Sequence, residues 1–485
     1  MTPTTTPAAE ETFLGQPRVL ANLSGIEMWE RFSFYGMQGI LLIYLYYSAE
    51  QGGLGIDRTE ATSIVGAYGG LVYLSTILGA WLADRLAGAE AVLFASAAVV
   101  MCGHLALALL PGLLGVGVGL VLIALGSGGV KSTATTLVGM QYGPQDGRRE
   151  AGFALYYLGI NLGALVGPLL TGLLQTSLGF QAGFGLAAVG MALGLAQYAW
   201  GRRRLTGPAR QVPNPLPARG RRLAAGLAAA GLAGLVVLFL VGVLTAARLA
   251  DGVVAASCVA TVAYFSLILG SRHTTRAERR RVVAFLPMFL ASVAFWALYQ
   301  QQFTVLTIFA DTQLDRSILG WTMPVSWVQA INPVFIILLS GAFTGLWTAL
   351  GPRQPSSPVK FSLATVIMGV AFLLFLPLAD DRPDSAPLLA LGGILFVFTV
   401  AELLISPVGL ALATRLAPAA FQAQMVALFF LSIALGTALS GVLAGYYRPA
   451  DAAPYFLTLG LVAVVLGLLL WALSPALRRL MGDTR

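Results

Sequence analysis

The chain has 485 residues, of which 57% are hydrophobic and only 10% charged, and its mean hydropathy is +0.81. Soluble proteins carry about 25% charged residues, so this composition excludes a soluble globular protein and indicates an integral membrane protein. The two cysteines, Cys102 and Cys258, both lie in apolar stretches. They therefore argue against a disulfide framework and against a cysteine metal site.

Fourteen apolar stretches are long enough to cross a bilayer as helices, which takes roughly 20 residues. They lie near residues 25–48, 60–83, 91–110, 113–138, 151–176, 180–200, 222–246, 252–270, 283–309, 320–348, 359–379, 386–413, 420–446 and 453–475. Many contain Gly or Pro, which membrane helices tolerate because neighbouring groups satisfy the freed backbone. The sequence therefore predicts an all-α membrane protein with 14 transmembrane helices.

Lysine and arginine residues fall mostly on one side of this predicted layout. With the N-terminus placed in the cytoplasm, 22 of the 29 lie in cytoplasmic loops and tails and five on the other side. Because cytoplasmic loops carry the excess of Lys and Arg, we expect a multi-pass protein of the cytoplasmic (inner) membrane with both termini in the cytoplasm. The same bias explains the net charge of +8 without a nucleic-acid partner.

Two basic, loop-like connectors, at 201–222 and 271–281, divide the predicted spans. Between them lies one pair of spans without an internal charge, which we interpret as an inserted hairpin. The predicted division is a cytoplasmic tail over 1–24, a six-helix bundle over 25–200, connectors over 201–281 with the hairpin at about 222–270, a second six-helix bundle over 282–475 and a tail over 476–485.

Five charged residues remain inside the predicted spans: Glu27, Glu30, Arg31, Lys131 and Glu402. A charge at the bilayer centre costs at least roughly 2.5–3.5 kcal/mol, so such residues face a hydrated cavity and mark ion or substrate pathways. Glu27, Glu30 and Arg31 are three and four residues apart and can share one helix face. Three carboxylates against two cations leave one excess negative charge, and a cluster in that balance can gain and lose a proton.

A simpler alternative stays open for the first helix. Glu27 and Glu30 could anchor that helix at the membrane interface, while Arg31 extends its long side chain to the headgroups. Lys131 and Glu402 lie deep in other spans, so they favour the interpretation as a shared cavity.

Five motifs are spread over the chain between residues 27 and 410. They are EMWERFSFYG at 27–36, GAWLADRLAG at 79–88, YYLGINLGALVGP at 156–168, QAINPVFI at 329–336 and AELLISPVGL at 401–410. The first resembles the ExxERFxYYG signature of the proton-dependent oligopeptide transporters, and the third resembles that family's FYxxINxG signature. The second is similar to a loop motif of the whole major facilitator superfamily. The resemblance covers nearly the entire chain, and bacterial members of the family carry an extra helical pair.

The resemblance implies a major facilitator fold and a symporter that imports di- and tripeptides with protons by alternating access, as a monomer, with no cofactor, metal or catalytic residue. Glu27, Glu30 and Arg31 would couple transport to protons. Arg31 and Lys131 would hold the carboxylate of the peptide, and Glu402 would receive its α-ammonium group. The remaining residues that the resemblance assigns to the substrate site are Phe34, Tyr35, Tyr73, Asn161, Trp296, Gln300, Asn332 and Phe429.

Residues at a predicted gate and hinge depart from the family or carry weaker signals. Gln38 and Gln300 stand where family members often carry Arg and Glu, which can form an ion pair between the halves on the extracellular side. Two amides can still hydrogen-bond but cannot respond to protonation, so we expect a weaker outer gate. Ser406 and Pro407 follow Glu402, and the proline removes one backbone hydrogen bond and could form a hinge.

Three other functions remain as alternatives. The first is a transporter of the same fold for nitrate, another small anion or a peptide-like compound, against which the retained first-helix motif argues. An intramembrane enzyme would need a nucleophile with a base, or metal ligands, and His104 and His273 have neither acidic neighbours nor metal spacing. A passive channel fits five internal charges of both signs less well than a gated solute site.

Overall fold

A computed structural model describes residues 12–143, 146–205, 207–243, 245–379 and 382–482, and nearly all of them are helical. Helices are the expected solution for apolar chains in lipid, because they satisfy every backbone polar group within the segment. The first six long helices are α1 (Arg18–Tyr46), α2 (Arg58–Leu82), α3 (Ala89–Leu109), α4 (Gly112–Gly139), α5 (Arg149–Leu178) and α6 (Phe180–Gly201).

The chain then forms a short helix, a hairpin and a second set of long helices. These elements are α7 (Gly207–Arg210), α8 (Ala218–Leu240), α9 (Leu249–Gly270), α10 (Arg276–Tyr299), α11 (Val305–Thr312), α12 (Val328–Leu350), α13 (Ser357–Leu373), α14 (Leu388–Leu416), α15 (Gln422–Ala444) and α16 (Ala453–Met481). Six two-residue strands make three pairs: β1 (Thr12–Phe13) with β2 (Gln16–Pro17), β3 (Leu314–Asp315) with β6 (Ala386–Pro387), and β4 (Ser317–Ile318) with β5 (Trp321–Thr322).

Thirteen helices in the described part of the chain are long and apolar enough to cross a membrane. The remaining long helix is α1, which is less apolar because it carries the charged motif. Taking α10 and α11 as one span, the described residues thus form 14 long helical segments, as the sequence predicts. Some bounds differ: α1 begins at Arg18 rather than near 25, and α16 continues to Met481 beyond the predicted end at 475.

The span predicted at 283–309 is interrupted in the structure. Helix α10 ends at Tyr299, residues Gln300–Phe303 form a 3-10 turn, and α11 begins only at Val305. Polar side chains satisfy the carbonyl groups that such an interruption affects: Gln301 Nε2 donates to Ala297 O (3.2 Å) and Thr307 Oγ1 donates to Gln302 O (3.0 Å). The polar run QQQFT therefore supports a break that an uninterrupted apolar span would not.

Two six-helix bundles follow from the packing. In the first bundle α1 lies between α5 and α6, and α3 packs on α4; in the second, α13 packs on α16 and α10 on α15. The bundles meet where α2 packs on α15 and α5 on α12. Gly66 of α2 and Gly441 of α15 touch backbone to backbone, since a Cβ atom added at Gly441 would lie 2.7 Å from the Gly66 Cα.

We call the membrane side at which α1 begins the basic side, because the connectors at 201–222 and 271–281 also lie there. The contacts between the two bundles concentrate at the opposite side. There the Tyr46 and Tyr47 hydroxyls, at the end of α1, each donate to the Asp311 carboxylate of α11 at 2.6 Å. The Trp327 indole donates to Leu169 O (3.0 Å). The molecule is therefore closed on the opposite side.

The hairpin lies against the seam between the bundles. None of the described side chains of helix α8 is buried, whereas α9 packs on both α2 and α15. Its first turn is fixed by a hydrogen bond from Ala250 N to Ser63 Oγ of α2 (3.1 Å). Helix α9 thus contacts one helix from each bundle.

Candidate functional site

The three charged residues of α1 form one buried cluster. Arg31 lies between the two acids: its Nη2 is 2.8 Å from Glu27 Oε1, and its Nε is 3.0 Å from Glu30 Oε2. The spacing of three and four residues places all three side chains on one face of the helix, as the sequence predicts. All three are buried, so the simpler alternative of an interfacial anchor is wrong for this structure.

Glu30 is the least accessible member of that cluster, with 0% of its surface exposed. Its Oε1 atom has no hydrogen-bond donor among the described residues, although Arg31 lies beside Oε2. A buried carboxylate oxygen without a donor raises the free energy of the charged form. Binding a proton would remove the charge and supply the missing hydrogen, so Glu30 is chemically suited to carry one.

Lys131 of α4 completes the charged group of the first bundle. Its Nζ lies 4.5 Å from the ring centre of Tyr73 and 4.9 Å from that of Phe34, and aromatic faces attract cations at such distances. Among the described residues Lys131 makes no ion pair within 4.0 Å, and its side chain is partly exposed. The ammonium charge is therefore not neutralised by a carboxylate at ion-pair distance within the described residues.

Aromatic rings connect this region to the second bundle. The Tyr35 ring stacks on Phe303 (6.0 Å between ring centres), which belongs to the interrupted span. Phe34 stacks on Tyr68 (5.9 Å), a residue that the sequence analysis did not include. Tyr68 lies five residues before Tyr73 on α2, so only the known position of Tyr73 could have drawn attention to it.

Glu402 of α14 is held by neutral groups. Its Oε2 accepts hydrogen bonds from the Tyr299 hydroxyl (2.8 Å) and from Asn332 Nδ2 (3.3 Å). The same Asn332 amide also donates to Thr399 Oγ1 (3.0 Å), which fixes its orientation. Glu402 as a whole residue is partly exposed. Tyr299 was not predicted as a site residue, because its only signal in the sequence is its position beside Gln300.

Trp296 and Phe429 lie in the packed interior of the second bundle. The Trp296 ring meets Tyr299 edge to face (5.2 Å), and its Nε1 has no acceptor among the described residues. Phe429 packs against Gly409, where an added Cβ atom would collide with the ring. Both side chains are therefore packed against neighbouring groups of the second bundle.

Asn161, Ser406 and Pro407 carry weaker structural signals. Asn161 Nδ2 donates to Tyr157 O of its own helix (2.9 Å), which leaves its second N–H and its carbonyl oxygen for a substrate. Ser406 Oγ is buried without a partner among the described residues. Helix α14 runs without interruption through Pro407, so the hinge stays a prediction.

The two amides of the predicted outer gate do not pair with each other in this conformation. Gln300 Nε2 donates to Thr437 Oγ1 (3.2 Å), and Gln38 Oε1 has no partner within the described chain. Gln300 thus donates to Thr437 rather than to Gln38. Closure on this side instead uses Asp311 and the two tyrosines described above.

The fold and these buried charges define a class of protein, an all-helical, multi-pass membrane transporter of the major facilitator type. The chain belongs to the POT family, whose model matches residues 90–458. Both the predicted fold class and the predicted family are confirmed, and the protein is a transporter rather than an enzyme.

Individual relatives match over nearly their full length. A di-/tripeptide transporter of Lactococcus lactis subsp. cremoris is 37% identical over 490 residues, which cover 98% of this chain and 99% of the relative. The uncharacterized transporter YclF of Bacillus subtilis is 40% identical over 476 residues, covering 97% and 96%.

Solved structures agree with this assignment. A peptide transporter POT in complex with sulfate superimposes with a TM-score of 0.93 at 40% identity, covering 97% of both chains. A POT family transporter in complex with 5-aminolevulinic acid gives a TM-score of 0.90 at 34% identity, covering 96% of this chain and 98% of the other.

Proposed function

We propose that the protein is a proton-coupled symporter that imports di- and tripeptides across the cytoplasmic membrane, working as a monomer. The basic side faces the cytoplasm in this proposal, because cytoplasmic loops carry the excess of Lys and Arg. The structure then represents an inward-facing state, closed toward the outside. The name of the Lactococcus relative supports the choice of substrate.

One observation carries the proposal: the first bundle presents cations and the second presents an anion. Lys131 and Arg31 belong to α4 and α1, and Glu402 belongs to α14. A peptide is a zwitterion whose ends carry the complementary charges. Its carboxylate binds Lys131 and Arg31, and its ammonium group binds Glu402, so a bound peptide draws the two bundles together.

Proton coupling follows from competition for Arg31. In the structure both Glu27 and Glu30 contact that guanidinium. When Glu30 binds a proton, it loses its negative charge and attracts Arg31 less strongly. The guanidinium can then bind the carboxylate of the peptide. Release of the peptide to the cytoplasm frees Arg31, which favours the charged form of Glu30 and the release of its proton.

Alternating access then places the site near the midplane between the two bundles, as in other transporters of this kind. Phe34, Tyr35 and Tyr73 form its wall on the first bundle. Trp296, Asn332 and Phe429 shape the side-chain pocket on the second, and Asn161 offers a hydrogen-bond acceptor. Peptides of different side chains share the charged termini, so the same charges serve many substrates.

The first experiment is uptake of labelled dialanine into proteoliposomes, with and without an inward proton gradient. Wild type should accumulate dialanine only with the gradient. Glu30→Gln should lose gradient-driven accumulation but keep exchange of dialanine across the membrane at equal concentrations. Glu50→Gln, the same chemical change at an exposed loop position, should behave as wild type.

Two results would contradict the proposal. Gradient-driven accumulation by Glu30→Gln at the wild-type level would show that Glu30 does not couple transport to protons. No dialanine uptake by wild type under either condition would sink the peptide assignment, and labelled nitrate would then test the same-fold alternative directly.

A further inference from the structure

A second charged cavity lies on the basic side, away from the transport site. It has a volume of about 420 Å³, and it is lined by Glu90, Ala199, Arg202, Arg203 and Arg210. Three helical elements contribute to it: the start of α3, the end of α6 with the arginine turn that follows, and the short α7. Three guanidinium groups against one carboxylate leave two excess positive charges.

The single acid of this cavity is already neutralised. Arg202 Nη2 donates to Glu90 Oε2 (3.0 Å), and its Nε is paired with the other carboxylate oxygen. The guanidinium of Arg202 also lies 4.1 Å from the ring centre of Phe94. Glu90 is buried, so this ion pair forms a fixed floor. Arg203 and Arg210 are exposed above it and supply the excess charge.

The segment that carries Arg210, helix α7 with the residues that follow it, is held against the connection between α2 and α3. Asn214 N donates to Asp84 O (2.9 Å), and Arg210 Nη2 donates to Arg202 O (3.2 Å). Gly88 has a φ of +74°, and a Cβ atom there would lie 2.8 Å from the carbonyl oxygen of Arg210. Only a glycine at position 88 therefore allows the backbone of Arg210 to approach the start of α3 this closely. The arginines converge in the folded protein before any ligand arrives, which lowers the entropy cost of binding.

An exposed tryptophan indicates that the cavity lies near the membrane surface. Trp200, two residues before Arg202, is 87% exposed on the outside of α6, and tryptophan is enriched at the membrane–water interface. Arginine pairs favour phosphate oxygens, because the planar guanidinium can donate two parallel hydrogen bonds. Basic pockets between membrane helices bind acidic lipid headgroups.

We propose that this cavity is a binding site for a phosphate-bearing anion, with Arg203 and Arg210 as the ligands and the Arg202–Glu90 pair as the floor. Two sources share that chemistry, the headgroup of an anionic phospholipid and a soluble phosphate compound. Nothing in this proposal depends on the transported substrate.

The test measures ligand-dependent stabilisation of the purified full-length protein in detergent. Short-chain phosphatidylglycerol is titrated while the unfolding temperature is recorded, and the midpoint gives an apparent affinity. If each arginine contributes about 1 kcal/mol, as basic residues do near anionic lipid, Arg203→Gln with Arg210→Gln should weaken that affinity about 30-fold. The matched control, Arg219→Gln with Arg221→Gln, removes the same charge from exposed positions at the start of α8 and should leave the affinity unchanged.

Two further ligands separate the sources. Stabilisation of wild type by glycerol 3-phosphate, lost in the cavity variant, would identify a soluble phosphate compound. Stabilisation by phosphatidylglycerol alone would identify a lipid headgroup. Phosphatidylcholine, whose phosphate is offset by a cation, should have the weakest effect.

The proposal is overturned if wild type responds to neither phosphatidylglycerol nor glycerol 3-phosphate, or if both double variants lose affinity equally, since the latter indicates diffuse surface charge. Without ligand the cavity variant should elute as wild type does and unfold close to the wild-type temperature, because both changed side chains are exposed and the Arg210–Arg202 hydrogen bond that is lost lies at the surface. Should the double variant prove unstable, Arg203→Gln alone gives the same comparison against Arg219→Gln.

Discussion

The two bundles hold their buried carboxylates in different ways. In the first, Glu27 and Glu30 share one guanidinium, so each acid depends on a charge that the other also contacts. In the second, the donors to Glu402 among the described residues are neutral, a tyrosine hydroxyl and an asparagine amide. Shared charge makes the first group responsive, because a change at one member alters the balance at the others. Neutral donors keep Glu402 oriented without competing for its charge. In the proposed mechanism, the first bundle exchanges the proton, and the second offers the Glu402 carboxylate to the ammonium group of the substrate.

The largest expected effect comes from removing the charge that the first bundle shares. Arg31→Gln leaves two buried carboxylates without a cation at hydrogen-bond distance, and breaking such a buried pair costs about 3–5 kcal/mol. Uptake of dialanine should be abolished and the unfolding temperature should fall. Because protonation of Glu27 and Glu30 relieves the penalty, the loss of stability should shrink as the pH is lowered. A variant with wild-type stability at neutral pH would show that the two acids do not depend on Arg31.

Removing the anion of the second bundle should reduce affinity rather than stability. Glu402→Gln exchanges a charge-assisted contact with the ammonium group for a neutral one. At roughly 1.5–3 kcal/mol for a hydrogen bond to a charged group, KM for dialanine should rise roughly 10- to 150-fold. N-acetyl-dialanine has no ammonium group, so it should bind wild type and variant equally weakly. A variant that still prefers dialanine over the acetylated peptide would show that Glu402 does not bind the ammonium group.

A finer test concerns the neutral donors that orient Glu402. Tyr299→Phe removes the 2.8 Å hydrogen bond but keeps the ring. A loss of about 1 kcal/mol corresponds to roughly a fivefold rise in KM. Tyr68→Phe is the matched control, since the Tyr68 hydroxyl has no hydrogen-bond partner within the described residues. Equal effects of the two changes would mean that the Tyr299 hydroxyl does not position the carboxylate.

The smallest effect is expected where this chain has two amides. Gln38→Arg combined with Gln300→Glu would introduce a pair of opposite charges between the bundles. The attraction must offset the cost of burying both charges, so we expect a change in exchange rate within about threefold. We also expect the pH profile to shift, because the pair adds a group that can titrate. An unchanged rate and pH profile would remove the hypothesis that the neutral amides weaken the outer gate.

Much of the fold and of the charged site could be predicted from the sequence, for a definite physical reason. Each span is a local feature, readable from a run of apolar residues. The α1 cluster is local as well, since Glu27, Glu30 and Arg31 lie within one turn and a half of the same helix. Lys131 and Glu402 could be predicted as site residues because a charge inside a membrane-spanning helix is costly and marks a functional position.

Contacts between different helices could not be predicted in the same way. Tyr299 and Glu402 are 103 positions apart, and nothing local to either indicates that they meet. The break at Gln300–Phe303 was missed because the surrounding run is apolar enough for one continuous span. Asp311 lies two residues beyond the predicted span at 283–309. Its bonds to Tyr46 and Tyr47 depend on how the two bundles dock, which a single sequence does not reveal.

The glycine contact between the bundles has a consequence for how closure responds to the surroundings. Gly66 and Gly441 meet as bare backbone, so this part of the closed side contains no group that titrates and no charge for ions to screen. Its strength is therefore independent of both ionic strength and proton concentration. The charged residues at the site, in contrast, include carboxylates that can bind a proton. This glycine contact is thereby kept apart from the titratable groups of the site, and a change in acidity reaches it only through movement of the helices.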